Sequence, residues 1–219
     1  MIFHENVPEI DKERIISALS DIKKYGTGFH QQTAEFIEKT ELVIYLGPAT
    51  EVRGSGSVQL DNQRAARRSV EEGNLSVETA ARYVRLNIAR ETIDTGGQQG
   101  IEGTLVHEGK HARDFALMLS TYSKQPDSVI FNPTAYQREL SAHLSAAQYL
   151  RIRGGSYAKE GESLGLLLFD GSDFHVNPKG IRARLRNNYR LTPETPGSNL
   201  NACSNPKIGE KRKKFLGIF

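Results

Sequence analysis

With a single cysteine, Cys203, in 219 residues, this chain can build neither an intramolecular disulfide framework nor a cysteine-based zinc site. Its fold must rest on a packed core, with any metal held by histidines and carboxylates. The length suffices for one such core, since a fold of this size hides roughly 70% of its unfolded-chain surface. Hydrophobic residues at 37% beside charged residues at 25% exclude a largely disordered chain. No run approaches the ~20 apolar residues that a membrane helix requires. The richest, Leu164 to Phe169, is too short and too late for a secretion signal, and the opening Met-Ile-Phe-His-Glu-Asn lacks a basic start and an apolar run. The chain is accordingly expected to be cytoplasmic when made, with export or delivery to a target cell left to a dedicated secretion system.

The formal net charge of +3 is unevenly placed. Four of the 29 basic residues, Lys211, Arg212, Lys213 and Lys214, stand in a row near the end, so the remaining 25 face 26 acidic residues across residues 1–210. A neutral body offers no cationic stripe to track a phosphate backbone, and nucleic acid is not expected as a partner.

Apolar spacing divides the chain into elements. Ile10, Ile15, Ile16, Leu19 and Ile22 recur near helical spacing between Pro8 and Gly26, and a shorter helix is expected from Phe29 to Lys39. Leu42 to Leu46, bounded by Gly47-Pro48, reads as a buried strand, and Arg53-Gly54-Ser55-Gly56-Ser57 as a mobile turn or loop. Helix and strand patterns compete between Ser76 and Thr92; alternation of Val84, Leu86 and Ile88 with polar neighbours favours a half-exposed strand over Tyr83–Glu91. A glycine-rich bend at 96–100 precedes a helix from about Ile101 to Tyr122. Breakers at 125–127 and 132–133 separate it from another helix, Thr134 to about Arg153, stopped by Gly154-Gly155. Asn177-Pro178 is a natural start for a last helix reaching about Tyr189. The expected organisation is one domain over 1–190, with a loosely ordered basic tail over 191–219.

His107-Glu108-Gly109-Lys110-His111 lies inside the 101–122 helix. Helical positions four apart share a face, so both imidazoles can reach one ion while Glu108 approaches a bound water from the side. This is the layout of metal-assisted hydrolysis: zinc acidifies its water, and an unligated carboxylate takes the proton and returns it to the leaving group. For a third ligand, Leu117 and Asp114 stand where the metzincin extension would require His and Gly. Glu139, 28 residues beyond His111 on the next helix, can meet the same ion if the two helices pack antiparallel, and Ser141, Ala142, Ala146 and Ala147 allow close approach.

On these residues the segment from Tyr83 to Arg153, about a third of the chain, resembles the gluzincin-type zinc metallopeptidases. The resemblance implies zinc held by His107, His111 and Glu139, with Glu108 as general base and then general acid. It implies an α+β, zincin-like fold in which a small twisted sheet packs on the active-site helix, followed by a second helix carrying the third ligand. It also implies that Tyr83–Glu91 is the cleft's edge strand, holding an extended peptide by β-addition. The segment from Asn132-Pro133 to Ala142 is similar to the second helix of many small bacterial members, and Thr104 to Asp114 is similar to metallopeptidase domains of bacterial toxins and effectors. That setting would add an inhibitory immunity protein to the protein or peptide substrate as a partner.

Where thermolysin-like members place an Asp four residues after the ligating Glu, this chain has His143, which suits an alternative ligand or a transition-state donor. Asp114 is the candidate acceptor to orient His111, with a solvated surface acid as the alternative. Donors to a developing oxyanion are Tyr136, one turn before Glu139, and His175, on a polar loop; each has an ordinary structural placement as its alternative. Gly109 costs about 1 kcal/mol against Ala in a helix, which suggests a close backbone such as the edge strand. Two other functions fit the same residues: hydrolysis of a non-protein amide such as a peptidoglycan crosslink, and a binding or scaffold protein whose metal site is purely structural.

Overall fold

The computed structural model describes residues 1–124 and 133–193. The chain runs β1 (Ile2–Phe3), α1 (Glu9–Tyr25), α2 (Gly28–Lys39), β2 (Val43–Gly47), α3 (Ala49–Val52), β3 (Gly56–Leu60), α4 (Gln63–Glu72), α5 (Val77–Ala80), a 3-10 turn at Ala81–Tyr83, and β4 (Val84–Ala89). It continues with α6 (Arg90–Asp94), α7 (Gly97–Lys124), α8 (Ala135–Arg153), α9 (Gly155–Ser163), β5 (Leu167–Phe169), β6 (Phe174–Val176) and α10 (Pro178–Asn187). The architecture is mixed α+β, and among the described residues no helix is long and apolar enough to cross a membrane. The expected breakers at 125–127 and Asn132, and the tail from 194 onward, lie outside the described residues.

Local chemistry accounts for the helix starts. Pro8 precedes α1, whose first turn carries Glu9 and Asp11 and whose last turn carries Lys23 and Lys24, matching the helix dipole at both ends. Thr27 caps α2 in a reciprocal box with His30, Thr134 caps α8 in another with Gln137, and the Asn177 side chain accepts from Gly180 N at the start of α10. These ends fall within a residue or two of the expected ones.

The main sheet has the order β1-β2-β4-β3, with β1, β2 and β4 parallel and β3 antiparallel to β4. The strand expected over Tyr83–Glu91 therefore exists but is not the edge. It is central, and of its six residues only Arg85 escapes burial; Asn87 is just 4% exposed. The edge strand beside it is β3, which begins inside the segment expected to be a mobile loop, and the opposite edge is β1. Arg53 in the left-handed region (φ 65°) and Gly54 (φ 138°) end α3 and turn the chain into it. Asn87 Nδ2 lies 3.3 Å from Ser57 O and 3.2 Å from Ser57 Oγ, pinning β3 from within the sheet.

Helix α7 packs on β3 and β4 and is flanked by α1, α2, α5, α6 and α8. Ile15, Leu19, Ile44, Leu86, Ile88, Ile101 and Leu105 form its shared core, each at most 1% exposed. At Gly109 an added Cβ would meet Ile37 Cδ1 at 2.8 Å and Thr33 Cγ2 at 2.9 Å. The close neighbour there is α2, not the edge strand. A second, smaller core of Ala147, Leu150, Ala158, Leu166, Leu167 and Ile181 joins α8, α9, the β5-β6 hairpin and α10.

Candidate metal centre

Two helices bring the site together. On α7, His107 and His111 face the neighbouring α8, which contributes Glu139 and His143, while Glu108 lies against the edge strand. One ligand atom from each of His107, His111 and Glu139 can be chosen so that all lie within 4.8 Å of one another. His107 Nε2 is 3.4 Å from Glu139 Oε2, and His111 Nε2 is 3.3 Å from Glu139 Oε1. These atoms are aimed past one another, so His111 Nε2 and Glu139 Oε2 are buried with no hydrogen-bond partner. Buried polar atoms of that kind are costly unless something else satisfies them. Two imidazole nitrogens and a carboxylate converging on one point form a donor set that fits zinc.

The electrostatics are those of a crowded, dry centre. Burial raises the pKa of Glu108, which is 7% exposed, and the adjacent imidazoles only partly offset this. For Glu139 burial acts in the same direction, but the nearness of the His107 and His111 rings outweighs it and holds the carboxyl well below its usual range. His111 is lowered by burial and raised further by Glu139, with a net rise. Desolvation, with the His107 charge next, pushes His143 down to about 3.

His143 does not join the converging set. Its Nδ1 lies 3.1 Å from His107 Nδ1, so one nitrogen of that pair carries the proton, and the rings are 4.6 Å apart. Asp114 is buried as an acceptor should be, but its carboxylate is paired with Lys110 rather than His111. Along a helix the i, i+4 cation is the better-placed partner. Tyr136 is buried and does not line the cleft. His175 belongs to the exposed β5-β6 hairpin, where Nε2 lies 2.8 Å from Asp170 Oδ2, away from the cleft.

The centre opens into a cleft of about 660 Å³ between the edge strand, α7, α8 and the end of α10. Along one side runs β3. Ala89 N–H donates to Ser55 O and Asp61 N–H to Tyr83 O; by antiparallel alternation the main-chain groups of Gly56 and Val58 face away from β4, on the open side. At Gly56 an added Cβ would meet Glu108 Cγ and Thr104 Cγ2, each at 2.7 Å, so the strand passes directly against the carboxylate.

Two cleft residues were not apparent from the sequence. The Tyr189 ring stands 5.3 Å from the His143 ring at 78°, and burial together with the Glu139 charge raises its pKa and keeps its O–H protonated. Arg184 lines the same wall. Both follow the end of α8 by more than thirty residues, and the one available signal was that the last helix ends near a tyrosine. No family model matches the chain, and neither a curated protein nor a solved structure matches it.

Proposed function

We propose that this protein is a zinc-dependent hydrolase of peptide bonds, of the gluzincin type that residues 83–153 resemble. The observation that carries the proposal is the convergence of His107, His111 and Glu139, with buried atoms left unsatisfied, beside a free strand edge. The three parallel strands and the antiparallel β3 against α7 support the same reading.

His107, His111 and Glu139 would hold the metal. Bound there, zinc would act as a Lewis acid, making water more acidic and polarising a carbonyl. The residues of the chain do the rest. With His107 Nδ1–H donating to His143 Nδ1, the His107 Nε2 lone pair is turned toward Glu139, and neutral His143 fixes that tautomer. Outward main-chain groups of Gly56 and Val58 pair with an extended substrate and orient its scissile bond. A Glu108 carboxylate oxygen takes a proton from water as the water oxygen bonds the carbonyl carbon. It then delivers that proton to the amide nitrogen as the C–N bond breaks. The Tyr189 O–H and the Arg184 guanidinium face the negative charge that develops on the carbonyl oxygen.

A purely structural site would close with a fourth protein donor; His143 engages His107 instead, which disfavours it. The deciding experiment compares wild type with Glu108→Gln, both folded and zinc-loaded, for new peptide termini in a protein lysate. Cleavage by wild type, reduced at least roughly a hundredfold in the variant, is expected. Equal cleavage by both would refute the assignment.

A further inference from the structure

The cleft continues past the metal centre into a recess between α7, α8 and α9, and its lining is specific. Gly103, one turn before His107 on α7, forms the floor; a Cβ built there has nothing within 4 Å. Ala146 and Leu150 of α8 and Leu166 after α9 form apolar walls. At the far end stands Glu160 of α9, whose carboxylate accepts from Gln99 Nε2. Gln99 also donates to Ser156 O at 3.2 Å, tying α9 to the start of α7. Among the described residues no cationic side chain comes within 4.0 Å of Glu160. Arg184, on the same wall, donates from Nη1 to Leu164 O at 3.5 Å at the end of α9 and forms no ion pair with Glu160.

From this lining we infer that the recess is a side-chain pocket selecting a lysine or arginine next to the scissile bond; the inference rests on the hydrolase reading above. The chemistry of the lining points there, and the span leaves only the longest side chains to approach Glu160. Gln99 and His107 are eight residues apart on one helix, about 12 Å along its axis. A branched apolar side chain entering beside the metal stops against the leucine walls, whereas a lysine or arginine, about 6 Å from Cα to its terminal nitrogens, carries its charge on toward Glu160. Its methylenes meet apolar surface along the way, and the cation meets a carboxylate that holds no other cation. The absent side chain at Gly103 keeps the passage open, and Gln99 holds Glu160 in place through one oxygen while leaving the other to the substrate.

The test has two arms. In the first, a library of proteome-derived peptides is digested by zinc-loaded wild type, Glu160→Arg and Gly103→Leu, and the residues flanking each cut are counted. Lysine and arginine enriched at one flanking position by about tenfold or more, replaced by aspartate and glutamate in Glu160→Arg and by small residues in Gly103→Leu, is the expected result. Cuts without basic enrichment, or enrichment that survives Glu160→Arg, would overturn the inference while leaving the hydrolase reading intact. In the second arm, degenerate nonapeptides with a central lysine or a central leucine are titrated into Glu108→Gln and into Glu108→Gln/Glu160→Arg by fluorescence anisotropy. Tighter binding of the lysine pool, lost with Glu160→Arg, supports the pocket even if no peptide is cut. Equal affinity for the two pools refutes it. Since a Gly103 side chain meets open space, Gly103→Leu is expected to fold, and its melting curve checks that its effect is confined to the recess.

Discussion

Replacing Gly56 with alanine adds one methyl group at the most crowded point between the edge strand and the catalytic helix. The new Cβ would lie 2.7 Å from both Glu108 Cγ and Thr104 Cγ2 and 3.2 Å from Asn87 O. Carbon atoms rest at about 3.5–4.0 Å, so roughly 1 Å must be found against two side chains of α7. The strand cannot simply retreat, because its pairing to β4 runs from Gly56↔Ile88 to Leu60↔Val84, and Asn87 grips Ser57 from behind. Overpacking of this kind costs about 1–3 kcal/mol, which for a chain of this length lowers Tm by roughly 2–12 °C. If the strain is relieved by turning Glu108, its carboxylate moves by about the same 1 Å, a displacement that costs on the order of a hundredfold in turnover. Thermal unfolding is measured on Gly56→Ala beside Gly103→Ala, and peptide cleavage on Gly56→Ala beside wild type. The second variant adds the same methyl group where nothing lies within 4 Å, and as a helix-interior Gly→Ala change it is expected to raise stability by about 0.5–1 kcal/mol. A Gly56→Ala protein that melts no lower than wild type would refute the packing argument. One that melts lower yet cleaves as fast would refute the link between that packing and the placement of Glu108.

Four further outcomes are expected. Elemental analysis of protein purified without added zinc is expected to give about one zinc per chain for the three-donor set, with less in folded His107→Ala and Glu139→Ala; no saturable zinc uptake by wild type would remove the metal centre. Tyr189→Phe and Arg184→Met are each expected to lower kcat by about tenfold or more with little change in KM, the mark of a contact made only in the transition state; a change confined to KM would make them binding residues. Burial lowers the pKa of His30, whose Nδ1 accepts from Thr27 N–H and whose Nε2 faces Ser145 O at 3.1 Å. Below the unfolded value near pH 6.5 the unfolded chain takes up a proton that the folded chain resists, so stability falls with pH by at most about 1.4 kcal/mol per unit; His30→Gln, which retains a capping-box side chain without titrating, should lose less stability between pH 7.5 and 5.5, and equal losses would refute this. Glu102, fully buried, accepts from Tyr149 Oη at 2.5 Å and Tyr157 Oη at 3.0 Å, and lies 3.3 Å from Arg153 Nε. Glu102→Leu leaves that guanidinium without its buried partner and is expected to cost about 3 kcal/mol or more in chemical unfolding; a loss below about 1 kcal/mol would show that Asp21 and the flanking tyrosines suffice.

What could be read from the sequence was what local chemistry decides. The helices carrying His107, His111 and Glu139 follow from apolar spacing, from Thr134 and Gln137 closing a capping box, and from the absence of proline between residues 97 and 124. The i, i+4 histidines place themselves on one face, and a second helix after a short break has few ways to return except antiparallel. What depends on the order of strands was not legible. Val84, Leu86 and Ile88 declare a strand, but alternation cannot tell a central strand from an edge. The polar Asn87 that suggested exposure is buried because it holds Ser57. The edge strand beside it, β3, opens with glycine and serine, residues with little strand preference of their own; β3 forms because β4 offers it hydrogen bonds and because Gly56 fits against Thr104 and Glu108.

The same distinction separates the site residues. Asp114 was assigned from proximity to His111 along the helix and His175 from its polar loop, and each has a nearer claimant: Lys110 one helical turn away for Asp114, and Asp170 across the hairpin turn for His175. Both claims are local, so they are satisfied before any group in the cleft can compete. The acid one turn before His143 is Glu139, which turns to His107 and His111 instead, and His143 meets His107, 36 residues away. Tyr189 and Arg184 reach the cleft because α10 packs on α8 through Ile181 and the second core, a contact that no spacing rule encodes. The metal-binding half of the site is thus written along two helices, whereas the half that would hold and select a substrate is assembled from β3, α9 and α10 only when the chain folds. Substitutions in these later elements are therefore expected to alter selectivity before they alter metal affinity, and Glu160→Arg with its zinc content intact and its cleavage preference reversed would be the clearest instance.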